Sequence, residues 1–220
     1  MMGFKNQKLN EIFQKDDAER IANFIIEACQ TLKNNYGNSV KVLPNDENKI
    51  RNILVEEYLD EYKIRKRNQM TEYRFAPETQ ENYDGNGSYL GRADIKIILK
   101  TDFEKNDAYY LVECKRLDGS VSMNKKYLTE GVNRFVTQKY SAHYGKNFML
   151  GFVVGDIDIQ NNAKNIEGIQ NTLPDIKMHG QFCIEGLNGN EEAWYKCSYQ
   201  LGNGELELSH IFSNMFSAIH

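Results

Sequence analysis

The sequence predicts an α/β fold in the order helix, three strands, helix, strand, with a helix added before this core and a hairpin after it. Three observations carry that expectation. Phe148 to Gly155 is an unbroken apolar run of strand length, as in a strand covered on both faces. Two more strand-like segments, 91–100 and 108–117, flank a short polar connection, Thr101 to Asp107. Apolar residues at helical spacing stand on either side of the pair.

Asp16 to Leu32 reads as the first helix. Asp16 or Asp17 would cap it, and Ile21, Phe24, Ile25, Ala28 and Leu32 make its apolar stripe. A second helix starts at Pro44-Asn45-Asp46-Glu47 and runs to Lys66, with Ile50, Ile53, Leu54 and Tyr58 on one face. Tyr73-Arg74-Phe75 is a strand that Pro77 closes, and the polar residues 78–91 form a loop. After the paired strands, a helix spans Asn124 to Ala142. The polar stretch 156–180 is a surface helix with loops. Residues 191–200 and 205–212 make a closing hairpin around Gly202-Asn203-Gly204. The 220 residues fit one domain, with a core at 45–155 and extensions at 1–44 and 156–220.

Composition narrows the function classes. No apolar run approaches the roughly 20 residues a membrane helix needs, and Met1 to Lys8 lacks the apolar centre of a signal peptide. Cys29, Cys114, Cys183 and Cys197 form no CxxC pair, so reduced thiols in a cytoplasmic protein are expected. His143, His179 and His210 have no neighbouring ligand, which argues against zinc. The net charge of −4 excludes a uniformly basic surface. Residues 115–146 nevertheless hold seven cations against two acids, and Lys63 to Arg67 is a second basic knot. Either could be a solvated face or a phosphate-binding rim.

The chemistry concentrates in Tyr109-Tyr110-Leu111-Val112-Glu113-Cys114-Lys115. Strand alternation puts Glu113 and Lys115 on one face and Val112 and Cys114 on the other. Asp94 lies in the preceding strand-like segment, Arg92 to Leu99. Pairing the strands symmetrically about the 101–107 loop sets Asp94 opposite Cys114, one position from Glu113 and Lys115. Two carboxylates, with the Cys114 backbone carbonyl as a further donor, suit a hard divalent cation. A lysine beside them suits orienting or activating a water. Without the Asp94 pairing, Glu113 and Lys115 read as an edge-strand salt bridge.

Asp94, an intervening hairpin, then Glu113-Cys114-Lys115 resembles the PD-(D/E)xK nuclease superfamily, the restriction-endonuclease-like fold. The likeness covers roughly residues 45–155, and Ala93 stands where the motif has its proline. It implies a Mg²⁺-dependent endonuclease acting on DNA, with Mn²⁺ able to substitute. Asp94, Glu113 and Lys115 would be its motif residues. The superfamily also implies an acid on the first core helix. Glu47 is preferred over Glu57, Glu56 points away from the stripe, and an acid at Glu47 is also an ordinary helix-start preference. Lys139, Arg134 and Arg116 are the expected nucleic-acid contacts, with Lys139 inside the stripe of Leu128, Val132, Phe135 and Val136. By the same analogy a role in restriction or defence, and a homodimer for cutting both strands, are expected. A nucleic-acid-binding or assembly module that keeps the fold without cleaving is the alternative, and an α/β protein unrelated to nucleic acid is a third reading.

Overall fold

The computed structural model describes residues 7–100, 109–202 and 204–219, with side chains from residue 16 onward. The loop expected at 101–107 lies outside the described residues, as does Asn203 of the closing turn. Among the described residues, seven strands form one mixed sheet in the order β1-β2-β3-β4-β7-β6-β5. They are β1 (Tyr73–Tyr83), β2 (Tyr89–Leu99), β3 (Tyr109–Leu117), β4 (Lys146–Val153), β5 (Met178–Asn188), β6 (Glu192–Leu201) and β7 (Gly204–Asn214). The α/β class stands, but the sheet is larger than expected. The closing hairpin is not an appendage: β7 pairs in parallel with β4, so the hairpin extends the core sheet.

β4 is the middle strand, parallel to both β3 and β7. Its apolar run is explained by two buried faces. Phe148, Leu150 and Phe152 join a cluster with Ile21, Ile25 and Leu54 from the helices α1 (Gln7–Gly37) and α2 (Glu47–Leu54). Met149 and Val153 face the other way, toward Tyr127, Leu128, Phe135 and Phe212. No described helix is long and apolar enough to cross a membrane. Cys29, Cys114 and Cys197 are buried thiols and Cys183 is exposed.

Four element boundaries differ from expectation, each for a local reason. Helix α1 is already formed at Gln7, the first described residue, so Asp16 and Asp17 lie inside it, and Asp17 accepts a hydrogen bond from Tyr73 instead of capping. The second helix breaks into α2, a π-helical turn Val55–Leu59, and α3 (Tyr62–Arg67). Asp60 fixes the break, because its carboxylate accepts the Phe75 N–H at 3.1 Å and pairs with Arg74 at 2.9 Å. β1 runs straight through Pro77, narrowing the expected 78–91 loop to the Asp84–Ser88 turn. A proline is tolerated there because β1 is an edge strand. The helix after the motif comprises α4 (Val121–Lys126), a π-helical turn Tyr127–Val132, and α5 (Asn133–Val136). Gln138, at φ 58°, turns the chain out of the helix before Lys139. The expected placement of Lys139 on an apolar helical stripe therefore fails. β5 was not anticipated.

His210 sits fully buried on β7, with Tyr127 Oη 2.9 Å from Nδ1 and Tyr199 Oη 2.9 Å from Nε2. Burial pushes its pKa down to about 3 from an ordinary 6.5. Between those values the unfolded chain binds a proton that the folded chain refuses, so stability is lost as pH falls through that window. We expect this histidine alone to contribute a slope of up to about 1.4 kcal/mol per pH unit below pH 6. Urea denaturation of wild type and His210→Gln at pH 7 and pH 5 checks it. The stability gap between the two proteins should move in the variant's favour at pH 5.

Candidate active site

Helix α2 brings in the first acid. Asp46 caps the helix by accepting the Lys49 N–H at 2.9 Å, which makes Glu47 the first helical residue. Glu47 Oε2 then accepts the Arg116 N–H at 2.9 Å, and Oε1 meets Lys115 Nζ at 3.1 Å. Asp46→Ala should cost about 1 kcal/mol by loss of the cap, read as a drop in urea midpoint. Glu56 and Glu57 are exposed on the turn that follows, so Glu47 is the helix acid that reaches the site.

Strand β3 brings in Glu113 and Lys115, on the face shared with Leu111 and Leu117. Glu113 is fully buried. Its Oε1 lies 2.7 Å from Lys115 Nζ and 3.0 Å from Arg134 Nη1. Its Oε2 takes the Tyr140 hydroxyl at 2.8 Å, and that hydroxyl also meets the Arg92 carbonyl and receives Arg134 Nη1 at 2.6 Å. Burial, helped by the charge of Asp94, raises the Glu113 pKa to about 7 against the pull of Lys115 and Arg134. Burial alone would lower Lys115, but Glu113, Glu47 and Asp94 outweigh it and hold the ammonium above the ordinary lysine value.

The β2–β3 register corrects the symmetric-loop estimate by one residue. The last ladder pair is Ile95↔Val112. One step further sets Asp94 opposite Glu113, not Cys114. That single step matters, because side chains directly opposite share a face. The strands separate at this point, and Asp94 Oδ2 accepts the Cys114 N–H at 2.7 Å in place of a ladder bond. Its Oδ1 takes Arg51 Nη1 at 2.7 Å.

Glu47, Asp94, Glu113 and Lys115 line one cavity of about 270 Å³ with Arg92, Arg134 and Lys139. Lys139 is exposed at its rim, and Arg134 enters it as the partner of Glu113. Arg116 faces a neighbouring hollow of about 290 Å³ with Lys126, and its guanidinium is tied to Asn45 at 2.6 and 2.8 Å. Of the three expected nucleic-acid contacts, Lys139 and Arg134 line the cavity and Arg116 lines the neighbouring hollow.

Three of the four oxygen donors expected to hold a cation converge, but on an ammonium, while Asp94 is taken by Arg51 and the Cys114 N–H. Lys115 Nζ lies 3.1 Å from Glu47 Oε1, 2.7 Å from Glu113 Oε1 and 2.8 Å from the Cys114 carbonyl. Among the described residues, no three His, Cys, Asp or Glu side chains are grouped so as to hold a metal ion. The donors are hard oxygens of the type Mg²⁺ prefers, so their chemistry fits, with Lys115 Nζ standing in the cation's place.

Arg51, Glu78, Tyr140 and Arg92 were missed from sequence. Arg51 lies four residues after Glu47, and so on the same helix face, beside the apolar Ile50. That spacing is the signal that could have found it. Compared with protein-family models, curated proteins and solved structures, the chain matches none of them.

Proposed function

We propose that this chain is a metal-dependent nuclease of the PD-(D/E)xK type, built on a restriction-endonuclease-like core and hydrolysing DNA phosphodiesters. The observation that supports it best is the convergence of Glu47, Asp94, Glu113 and Lys115, from one helix and two strands, in one polar cavity. In this reading Asp94, Glu113, Glu47 and the Cys114 carbonyl hold Mg²⁺ or Mn²⁺. Such an ion neutralises phosphate charge and acidifies a bound water.

The chain's own residues divide the remaining work. Lys115, beside Glu113 and Glu47, orients or activates the attacking water and stabilises charge on phosphate. Arg134 and Tyr140 hold the Glu113 carboxylate in place. Lys139 and Arg92 stand at the cavity mouth, where a phosphate backbone would arrive. Cutting both strands would take two such sites, as in a homodimer.

Internal ion pairing of the acids favours a second reading, a nucleic-acid-binding module of the same fold that does not cut. One experiment separates the two. Plasmid and linear DNA are incubated with Mg²⁺ or Mn²⁺ and either wild type or Lys115→Ala. Cutting that the variant loses supports the nuclease. Silence of a folded wild type on DNA and RNA, with retained binding at low salt, moves the assignment to the module.

A further inference from the structure

The β1–β2 ladder runs Pro77↔Ile95 and then Thr79↔Ala93, so Glu78 falls opposite Asp94. Asp94 stands one step beyond the last β2–β3 ladder pair, so Glu78, Asp94 and Glu113 lie near one another on three neighbouring strands. Like charges directly opposite repel one another. Lys115 and Arg134 offset the third acid. Arg51 offsets the first two.

Arg51 is 2% exposed. Its Nη1 lies 2.7 Å from Asp94 Oδ1 and its Nη2 2.6 Å from Glu78 Oε1. The guanidinium fork therefore grips one acid inside the cavity and one at its edge. Glu78 is held in a left-handed backbone conformation, φ 52°, uncommon for a residue with a side chain. It is also paired with Arg92 at 3.2 Å. A divalent cation approaching Asp94 competes with Arg51 for the same carboxylate. A buried guanidinium stripped of every anion is strongly unfavourable. Glu78 supplies the anion that remains when Asp94 turns away.

We propose that Arg51 and Glu78 form a counter-ion latch on Asp94: Arg51 holds Asp94 while the site carries no divalent cation, and Glu78 keeps the guanidinium neutralised when Asp94 turns to the ion. Both are positioning residues acting through Asp94, and the inference rests on the nuclease reading, which makes Asp94 a ligand.

The latch predicts opposite signs for its two members. Arg51→Met removes the competitor, so Mn²⁺ binds more tightly. Glu78→Gln leaves Asp94 as the one anion on Arg51, so Mn²⁺ binds more weakly. Structural damage would weaken binding in both. With Arg51 gone, Glu78 has nothing left to latch.

The test is a Mn²⁺ titration of the full chain without nucleic acid, following free Mn²⁺ by electron paramagnetic resonance. Wild type, Arg51→Met, Glu78→Gln and the double variant are compared. The expected shifts are about tenfold tighter for Arg51→Met and about tenfold weaker for Glu78→Gln, with the double variant matching Arg51→Met. Shifts of the same sign, or an unchanged Glu78→Gln, overturn the latch while the nuclease reading stands. Glu78 is exposed at the sheet edge, so that arm decides even where Arg51→Met fails to fold. Absence of Mn²⁺ binding in all four proteins, together with absence of DNA cleavage by wild type, overturns both.

Discussion

Lys115→Ala is expected to lower metal-dependent DNA cleavage by about 10³-fold, the usual range for removing one positioned charge from the reacting centre. The size follows from where Nζ sits. It touches Glu47, Glu113 and the Cys114 carbonyl together, and it is buried enough for each interaction to count more than it would in water. Arg134 pairs with Glu113 but reaches it from the cavity's outer side and is half-exposed, so it does not replace Nζ. The variant should still fold, because Glu113 keeps Arg134 and Tyr140 as partners. The measurement is the rate of plasmid nicking, with circular dichroism confirming the fold. Equal rates in the two proteins would sink the assignment of this cavity.

Phe152→Ala is the second large effect, and it falls on stability. Phe152 is fully buried in the central strand, between Arg116 on β3 and Ser213 on β7 in the parallel ladders. Its ring lies in the cluster that joins α1 and α2 to the sheet. Truncation leaves a cavity with rigid strand backbone on both sides, so collapse cannot fill it. The expected loss is about 3–5 kcal/mol, and the melting temperature should fall by roughly 10 °C. Thermal and urea denaturation check this. A loss under about 1 kcal/mol would mean that the core is not packed as described.

What could be read from sequence depended on how many physical constraints each segment obeyed. β4 was legible because both its faces are buried, which leaves an unbroken apolar signature. Glu113 and Lys115 were legible because alternation on a buried strand forces them onto one face. Asp94 was found, but its register was placed one residue off, since symmetry about a loop is a weak guide to pairing. β1 beyond Pro77 was lost because proline reads as a stop wherever the missing N–H would matter, and on an edge strand it does not. β5 was lost because its exposed positions mix polar residues and glycine with Ile184 and Leu187, and two irregularities break its pairing to β6, so no alternation survives. Arg51 carried one weak signal, its i+4 spacing from Glu47. An arginine on a helix reads as surface, and only the placement of two acids on adjacent strands makes its burial favourable.

The three acids also bear on how the molecule comes to exist. Lys115 and Glu47 are 68 positions apart along the chain, Arg51 and Asp94 are 43 apart, and Arg51 and Glu78 are 27 apart. None of these contacts has a local precursor, and each must be preceded by the entropic work of closing a long loop. Until α2 docks, β1 and β2 pair with Arg92 as the neighbour of Glu78 and with Asp94 lacking the guanidinium of Arg51. The cavity is complete only when α2 has docked on the sheet, so its assembly depends on contacts distant in sequence.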